Sequence, residues 1–437
     1  MRSLYVLLMH LLVPFVVVHD AWQGLLHRDQ RGRLRQRLGF VERADTPGAI
    51  WIHAVSVGEV QAAAALVRAL QRRHPARPIV VSTVTATGAQ RARALFPEGV
   101  QHCYLPYDLP GAVRRFLDRI SPQVAVILET EIWPTLYADL ARRGIPLVLG
   151  SARLSERSVA RYRRLRPLLR GTLSHGVAIG AQTEVDAARF RAVGAADSRV
   201  QVTGNIKYDL QIPADQVEAG REWRERWGGS RPVWIAGSTH DGEEQAALDA
   251  HALLRQRHPT ALLLLVPRHP QRFETVRALL RRAGLRFVQR SAGETPGAAD
   301  EVFLVDTIGE LQMFYAASDV AFVGGSLVPV GGHSLLEPAV LGVPILSGPH
   351  THNGPDIAAL LEQAGALRLV PSAEALGPAL LAWMDAPAEA REAGARGRRA
   401  VAANRGAVDR VVGMIEPLLV SSSVARPAAS SATSGSC

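Results

Sequence analysis

Three places in the first half of the chain set ionisable side chains directly behind short apolar runs. Ile50–Val55 is followed by Ser56-Val57-Gly58-Glu59, and Val124–Leu128 by Glu129-Thr130-Glu131-Ile132-Trp133-Pro134; Val202-Thr203-Gly204-Asn205-Ile206 leads into Lys207. A carboxylate where a helix begins has two uses, as a favourable charge for the first turn or as a general base, and both stand for Glu59. Glu129 and Glu131 would be costly to bury without partners. One of them caps a helix, or a carboxylate facing a cleft tunes a neighbouring base and steadies developing positive charge. Lys207 is either an ordinary surface lysine or an ammonium at the edge of an interdomain cleft.

The second half carries chemistry suited to an anion. Ala236-Gly237-Ser238-Thr239-His240 follows an apolar run and offers amides and hydroxyls to a phosphate. In Val266-Pro267-Arg268-His269-Pro270 the planar fork of Arg268 suits a phosphate, and His269 is its neighbour or a structural hydrogen-bonder. Gly324-Gly325-Ser326 and Gly331-Gly332-His333-Ser334-Leu335-Leu336-Glu337-Pro338 form a glycine-rich loop leading into a helix. Glycines let backbone donors approach an anion, and Glu337 is placed to accept two ribose hydroxyls; a plain tight turn is the alternative for the glycine pairs.

Absences narrow the chemistry. The chain has no Walker loop, no Gly-x-Gly-x-x-Gly and no Asp-x-Asp. The first two disfavour ATP hydrolysis and ordinary dinucleotide binding. The third removes a common metal-diphosphate grip and favours a nucleoside monophosphate leaving group, with no metal and no cofactor expected. Two cysteines, Cys103 and Cys437, are too few and too distant for a disulfide framework.

These residues need a frame. Short β-branched runs at Ile50–Val55, Ile79–Thr83, Val124–Leu128, Pro146–Leu149 and Val177–Gly180 alternate with helical patterns, which predicts a parallel sheet covered on both faces. The alternation pauses over residues 208–231. It restarts with Val233–Ala236, Ala261–Val266, Val302–Val305, Val320–Val323 and Val343–Leu346, a second doubly wound unit. A chain of 437 residues suits two such domains, and 47% apolar content suits packed cores. The expected division is 1–22 as an N-terminal membrane anchor, 23–210 and 211–419 as Rossmann-like domains, and 420–437 as a disordered Ser/Ala-rich tail. In such sheets ligands sit beyond the carboxyl ends of the strands, where all the residues above lie.

The apolar run Leu4–Val18, as a helix, reaches about 22 Å. That is short of a roughly 30 Å hydrocarbon core, so a shallow or tilted anchor is expected. The run Arg28, Arg31, Arg33, Arg35 and Arg37 then suits an anionic cytoplasmic membrane face; a signal peptide is the rival, though no small-residue cleavage pattern follows Val18. The net charge of +10 favours a membrane or a phosphorylated substrate. Without zinc-finger spacing or aromatic-rich basic stretches, nucleic acid is not expected.

Taken together, His53-Ala54-Val55-Ser56-Val57-Gly58-Glu59, Pro106-Tyr107-Asp108-Leu109-Pro110, Glu129-Thr130-Glu131-Ile132-Trp133-Pro134, Val266-Pro267-Arg268-His269, Phe322-Val323-Gly324-Gly325-Ser326 and Gly348-Pro349-His350-Thr351 resemble the bacterial 3-deoxy-D-manno-octulosonic acid (Kdo) transferases that act on lipid A precursors. The resemblance runs from the N-terminal run to about residue 415 and implies a GT-B architecture, two Rossmann-like domains facing a cleft. It implies an inner-membrane enzyme of the cytoplasmic face that takes Kdo from CMP-Kdo to a lipid A precursor with inversion, in lipopolysaccharide synthesis. Glu59 falls on the family's proton acceptor, and Glu129 and Lys207 on positions of transition-state stabilisation. Arg268, His269, Ile308, Gly309, Glu310, Ser334, Leu335, Leu336 and Glu337 fall on the nucleotide's contacts. Two departures stand out. Arg35-Gln36-Arg37 replaces a Gly-Glu-Arg found in many members, and Ser334 an Asn. Two rivals are a GT-B enzyme using a UDP-hexose, since the fold does not fix the donor, and an inactive homologue that only binds anionic lipid.

Overall fold

The computed structural model describes residues 2–26, 32–44, 46–96, 98–164, 166–173 and 176–421. The chain forms two compact units, one of residues up to Asp209 together with those from Arg405 onward, the other of Leu210–Asn404. Each is built on a seven-stranded sheet.

In the first unit the strands are β1 (Ala49–His53), β2 (Ile79–Thr83), β3 (Val100–Tyr104), β4 (Pro122–Leu128), β5 (Leu147–Ala152), β6 (Ala178–Ala181) and β7 (Val200–Val202). All pairings are parallel, in the order β3-β2-β1-β4-β5-β6-β7. The order reverses between β1 and β4, so the loops after these two strands diverge and leave a crevice at their carboxyl ends. Ile50, Trp51, Ile52, Val124, Ala125, Val126 and Ile127 are fully buried, because helices cover both faces.

The second unit contains β8 (Val233–Thr239), β9 (Leu262–Pro267), β10 (Phe287–Gln289), β11 (Val302–Leu304), β12 (Val320–Val323), β13 (Ile345–Ser347) and β14 (Leu367–Leu369), in the order β10-β11-β9-β8-β12-β13-β14, again all parallel. Its order reverses between β8 and β12.

The expected second domain, 211–419, is corrected at its far end. The last helix, Ala407–Ser421, packs Val411, Val412, Ile415 and Leu419 into the first unit's core beside Ile50, Val124, Val126 and Val148. Its start is fixed by Asp209, whose carboxylate accepts the amides of Gly406 (2.7 Å) and Val408 (2.6 Å), and by Arg410, which donates to the Thr203 carbonyl at 2.7 Å. Residues 422–437 of the expected tail lie outside the described residues, as do Arg28 and Arg31.

The N-terminal run forms a helix, Arg2–Leu26, longer than expected and containing Pro14. Among the described residues no helix is long and apolar enough to cross a membrane. Polar ties hold one side of it to the first unit. The Tyr5 hydroxyl donates to Asp108 at 2.9 Å, and buried Asp20 accepts from Tyr107 at 2.6 Å and faces Arg33 and Arg37, each at 3.7 Å. The other side leaves Leu4, Leu8, Leu11, Phe15 and Trp22 exposed.

Candidate active site

Glu59 sits at the third position of the helix Val57–Arg73, which starts where β1 ends. Its Oε2 accepts the Val55 amide at 2.7 Å and its Oε1 the Ser56 hydroxyl at 3.1 Å. The first-turn charge is thus in place, and the same carboxyl is also shifted. Burial raises its pKa to about 7 against the pull of those hydrogen bonds, and the charges of Glu129 and Glu131 push it the same way. Neighbouring Gly58 is exposed, and a Cβ placed on it would meet nothing within 4 Å, whereas Glu59 itself is half-buried.

Glu129 follows β4, across the reversal of strand order from Glu59. Its backbone is left-handed, with φ at 58°, a conformation that costs energy for a side chain with a Cβ and that clusters at functional sites. The conformation is held by the Glu129 amide on the Gly150 carbonyl at 3.1 Å. The Lys207 ammonium then meets Glu129 Oε1 at 2.7 Å, both side chains about three-quarters buried. Lys207 rides on a short 3-10 turn, Ile206–Asp209. That turn is pinned by Ser151 Oγ, which accepts the Ile206 amide at 3.3 Å, and by Asp209, which caps the last helix. Glu131 is raised above the ordinary carboxylate range, chiefly by burial. The structure thus brings Glu59, Glu129 and Lys207 to the carboxyl-terminal end of the first sheet, the last two as an ion pair.

Gln36 takes up a role a glutamate would also fill at that position: its Oε1 accepts the Tyr104 amide at the end of β3, at 2.9 Å.

In the second unit Arg268 leaves the end of β9, tethered by its amide to the Thr239 carbonyl at 3.0 Å, with its side chain exposed. His269 is also exposed, and its ring stands edge-on to His240, centroids 5.3 Å apart. Ile308 is exposed and Gly309 has φ at 92°, a value that favours glycine. Glu310 begins the helix Leu311–Ala316 and is clamped by Arg290 at 2.6 Å and by the Thr307 hydroxyl. Ser334 is exposed before the short helix Leu336–Leu341, whose first turn carries Glu337, hydrogen-bonded to Gln312 at 3.0 Å. Leu335 and Leu336 are buried beneath that turn.

At the first glycine pair, Gly324-Gly325, the expected backbone cradle is not available to an outside anion. Buried Glu243 fills it. One carboxylate oxygen accepts the amides of His240 (2.9 Å) and Gly325 (2.7 Å), the other those of Ser326 and Leu327 (both 2.9 Å). The Gly332 and His333 amides are spent on the Gly325 and Gly324 carbonyls. Sequence pattern does not mark the contacts of His240 with His333 or of Glu243 with Gly325, because these residues, more than eighty apart, meet only when β8 and β12 lie side by side. What remains open here is a set of side chains: Arg268 and the imidazoles of His240, His269 and His333. All three histidines are less basic than usual, mainly through burial and then through Arg268 for His269 and His333. Among the described residues no group of three or more histidines, cysteines or acids is placed to hold a metal ion.

A profile of the family described as 3-Deoxy-D-manno-octulosonic-acid transferase (kdotransferase) matches residues 32–210. The chain is 39% identical over 421 residues to the 3-deoxy-D-manno-octulosonic acid transferase of Haemophilus influenzae, covering 96% of this chain and 99% of that one. It is 37% identical over 436 residues to that of Bordetella pertussis, with coverage of 96% and 99%. Among solved structures, a UDP-GlcNAc 2-epimerase from Neisseria meningitidis matches with a TM-score of 0.54 over 85% of this chain and 100% of that one, at 15% identity, a likeness of fold alone.

Proposed function

The chain belongs to the 3-deoxy-D-manno-octulosonic acid transferase family, and on that premise we propose that it moves Kdo from CMP-Kdo onto a hydroxyl of a lipid A precursor with Glu59 as the base. It is a glycosyltransferase, and the UDP-hexose rival gives way to that membership. The observation that carries the proposed mechanism is the half-buried carboxyl of Glu59 in the first turn after β1, raised by burial to about 7. A base works best when its pKa lies near the operating pH.

In the proposed reaction Glu59 takes the proton of the acceptor hydroxyl as its oxygen forms a bond to the anomeric carbon of Kdo. The bond from that carbon to the phosphate breaks on the opposite face, and its electron pair leaves with CMP. Attack opposite to departure inverts the centre. The Glu129–Lys207 pair supplies fixed charge where an oxocarbenium-like centre develops. Arg268 and His269 face the phosphate, while the segments at Ile308–Glu310 and Ser334–Glu337 bind the rest of the nucleotide.

Support for a place on the cytoplasmic face of the inner membrane comes from the N-terminal helix. Leu4, Leu8, Leu11 and Phe15 on its exposed side offer an apolar surface to lipid, with Arg33 and Arg35 close after it in sequence. The decisive experiment is mass spectrometry of a lipid A precursor incubated with the protein and CMP-Kdo, in EDTA. The expected product is heavier by one or more Kdo residues; an unmodified acceptor would favour the inactive lipid-binding homologue.

A further inference from the structure

The histidines His240 and His333 meet ring to ring. Their Nε2 atoms are 2.8 Å apart and their planes differ by 8°. His240 directly follows β8, and His333 comes from the loop after β12, so the contact spans the point where the sheet order reverses. Gly325 makes it possible. A Cβ there would stand 3.0 Å from His333 Cδ2 and 3.5 Å from His240 Cδ2.

Two facing ring nitrogens at this distance share one proton. In the neutral pair one ring donates its Nε2–H and has a bare Nδ1. A further proton goes to that Nδ1, leaving both Nδ1 atoms protonated, one proton between the rings and a single positive charge over the pair. A second added proton would place two protons in the gap and force the rings apart. The pair is therefore built to gain one charge and no more.

We infer that His240 and His333 act as a single-proton unit which charges when the nucleotide's phosphate arrives, so that donor binding carries a proton into the site. This rests on the proposed nucleotide reading of Arg268. The surroundings fit an anion that is not part of the chain. Arg268 has no carboxylate partner among the described residues, and His269 stands beside it. Arg272, the other cation, is already held by Asp241 and Glu244, each at 2.9 Å. The remaining acid, Glu243, is consumed by four backbone amides. Burial and Arg268 hold His333 down to about 3 when nothing anionic faces it, and a phosphate reverses the sign of the local field. As the glycosidic bond breaks, its electron pair stays on the phosphate oxygen, which gains negative charge opposite the charged pair; the proton, drawn from solvent on binding, remains on the imidazoles.

The test is calorimetric titration of the full chain with CMP at pH 7.5 in buffers of different ionisation enthalpy, which reads protons taken up per ligand. Wild type is compared with the double variant His240→Gln/His333→Gln, so that the phosphate's own titration cancels. The expected difference is a wild-type excess that is above zero, never exceeds one proton per CMP and grows when the titration is repeated at lower pH. Equal uptake, or a difference near two, overturns the inference while leaving the donor reading intact. If wild type does not bind CMP, the donor reading falls and takes the inference with it. Should the double variant unfold, nitrogen NMR of 15N-histidine-labelled wild type decides: with CMP, two Nε2 signals are expected to move together to a shared-proton position, and unchanged signals refute the pairing.

Discussion

The ammonium of Lys207 lies 2.7 Å from Glu129, so one of the two acidic charges acting on Glu59 is partly neutralised by a cation from a different loop. Breaking the pair then acts on the base. Lys207→Met is expected to move the acid limb of the pH–rate profile upward, on the order of half a unit. Adding Glu129→Gln removes the uncompensated charge and returns the limb downward. An unchanged limb in Lys207→Met would separate the pair from the base.

Glu59→Gln should lower turnover by about 100-fold or more, the usual contribution of a general base. Stability should respond in the opposite direction at high pH. The carboxyl is held in the folded state at about 7, above its ordinary 4.5, so the folded chain binds the proton more tightly. That contribution is full below 4.5 and is lost as pH rises to 7. At pH 8 the wild-type charge is a burden, partly offset by the two hydrogen bonds. The variant's melting temperature relative to wild type should therefore be higher at pH 8 than at pH 5, read by calorimetric scanning.

Arg268→Ala should weaken CMP binding by about 1.5 to 3 kcal/mol, the scale of a hydrogen bond to a charged group. The folded state should be undisturbed, since the side chain is exposed. Titration with CMP and UDP in EDTA checks both donor and metal independence. Tighter binding of UDP than CMP to wild type would reassign the nucleotide.

Phe15→Glu and Leu8→Glu, at side chains 76% and 51% exposed, should abolish sedimentation with anionic vesicles. Melting temperature should be unchanged, because surface substitutions away from packed contacts stay within about 0.5 kcal/mol. Sedimentation equal to wild type would move the membrane contact elsewhere.

Ten of the fourteen strands announce themselves as short apolar runs in the sequence. The four that do not are β3, β7, β10 and β14, and these are the four sheet edges. Val200-Gln201-Val202 and Leu367-Arg368-Leu369 are half exposed, so no continuous apolar run marks them. Glu59, Glu129 and Arg268 were legible for the converse reason, since each follows a buried strand directly. Glu243 and the His240–His333 contact were not legible, for they depend on which strands become neighbours. The return of the last helix was hidden too: its apolar face reads the same whichever sheet it covers.

That return sets the order in which the protein can be completed. A ribosome delivers the first unit's strands early, yet the helix that covers Ile50, Val124, Val126 and Val148 is the last described element to be made. The second unit, Leu210–Asn404, is whole before then. The helix Val57–Arg73 covers part of that sheet face, so a nascent chain carries a partly uncovered apolar face throughout the synthesis of its second half, an aggregation hazard that chaperones exist to shield. Ribosome-arrested chains ending at residue 404 should be cut readily by protease within residues 49–209, whereas chains long enough to free residue 421 from the exit tunnel should resist; equal resistance would mean that the sheet closes without its final helix.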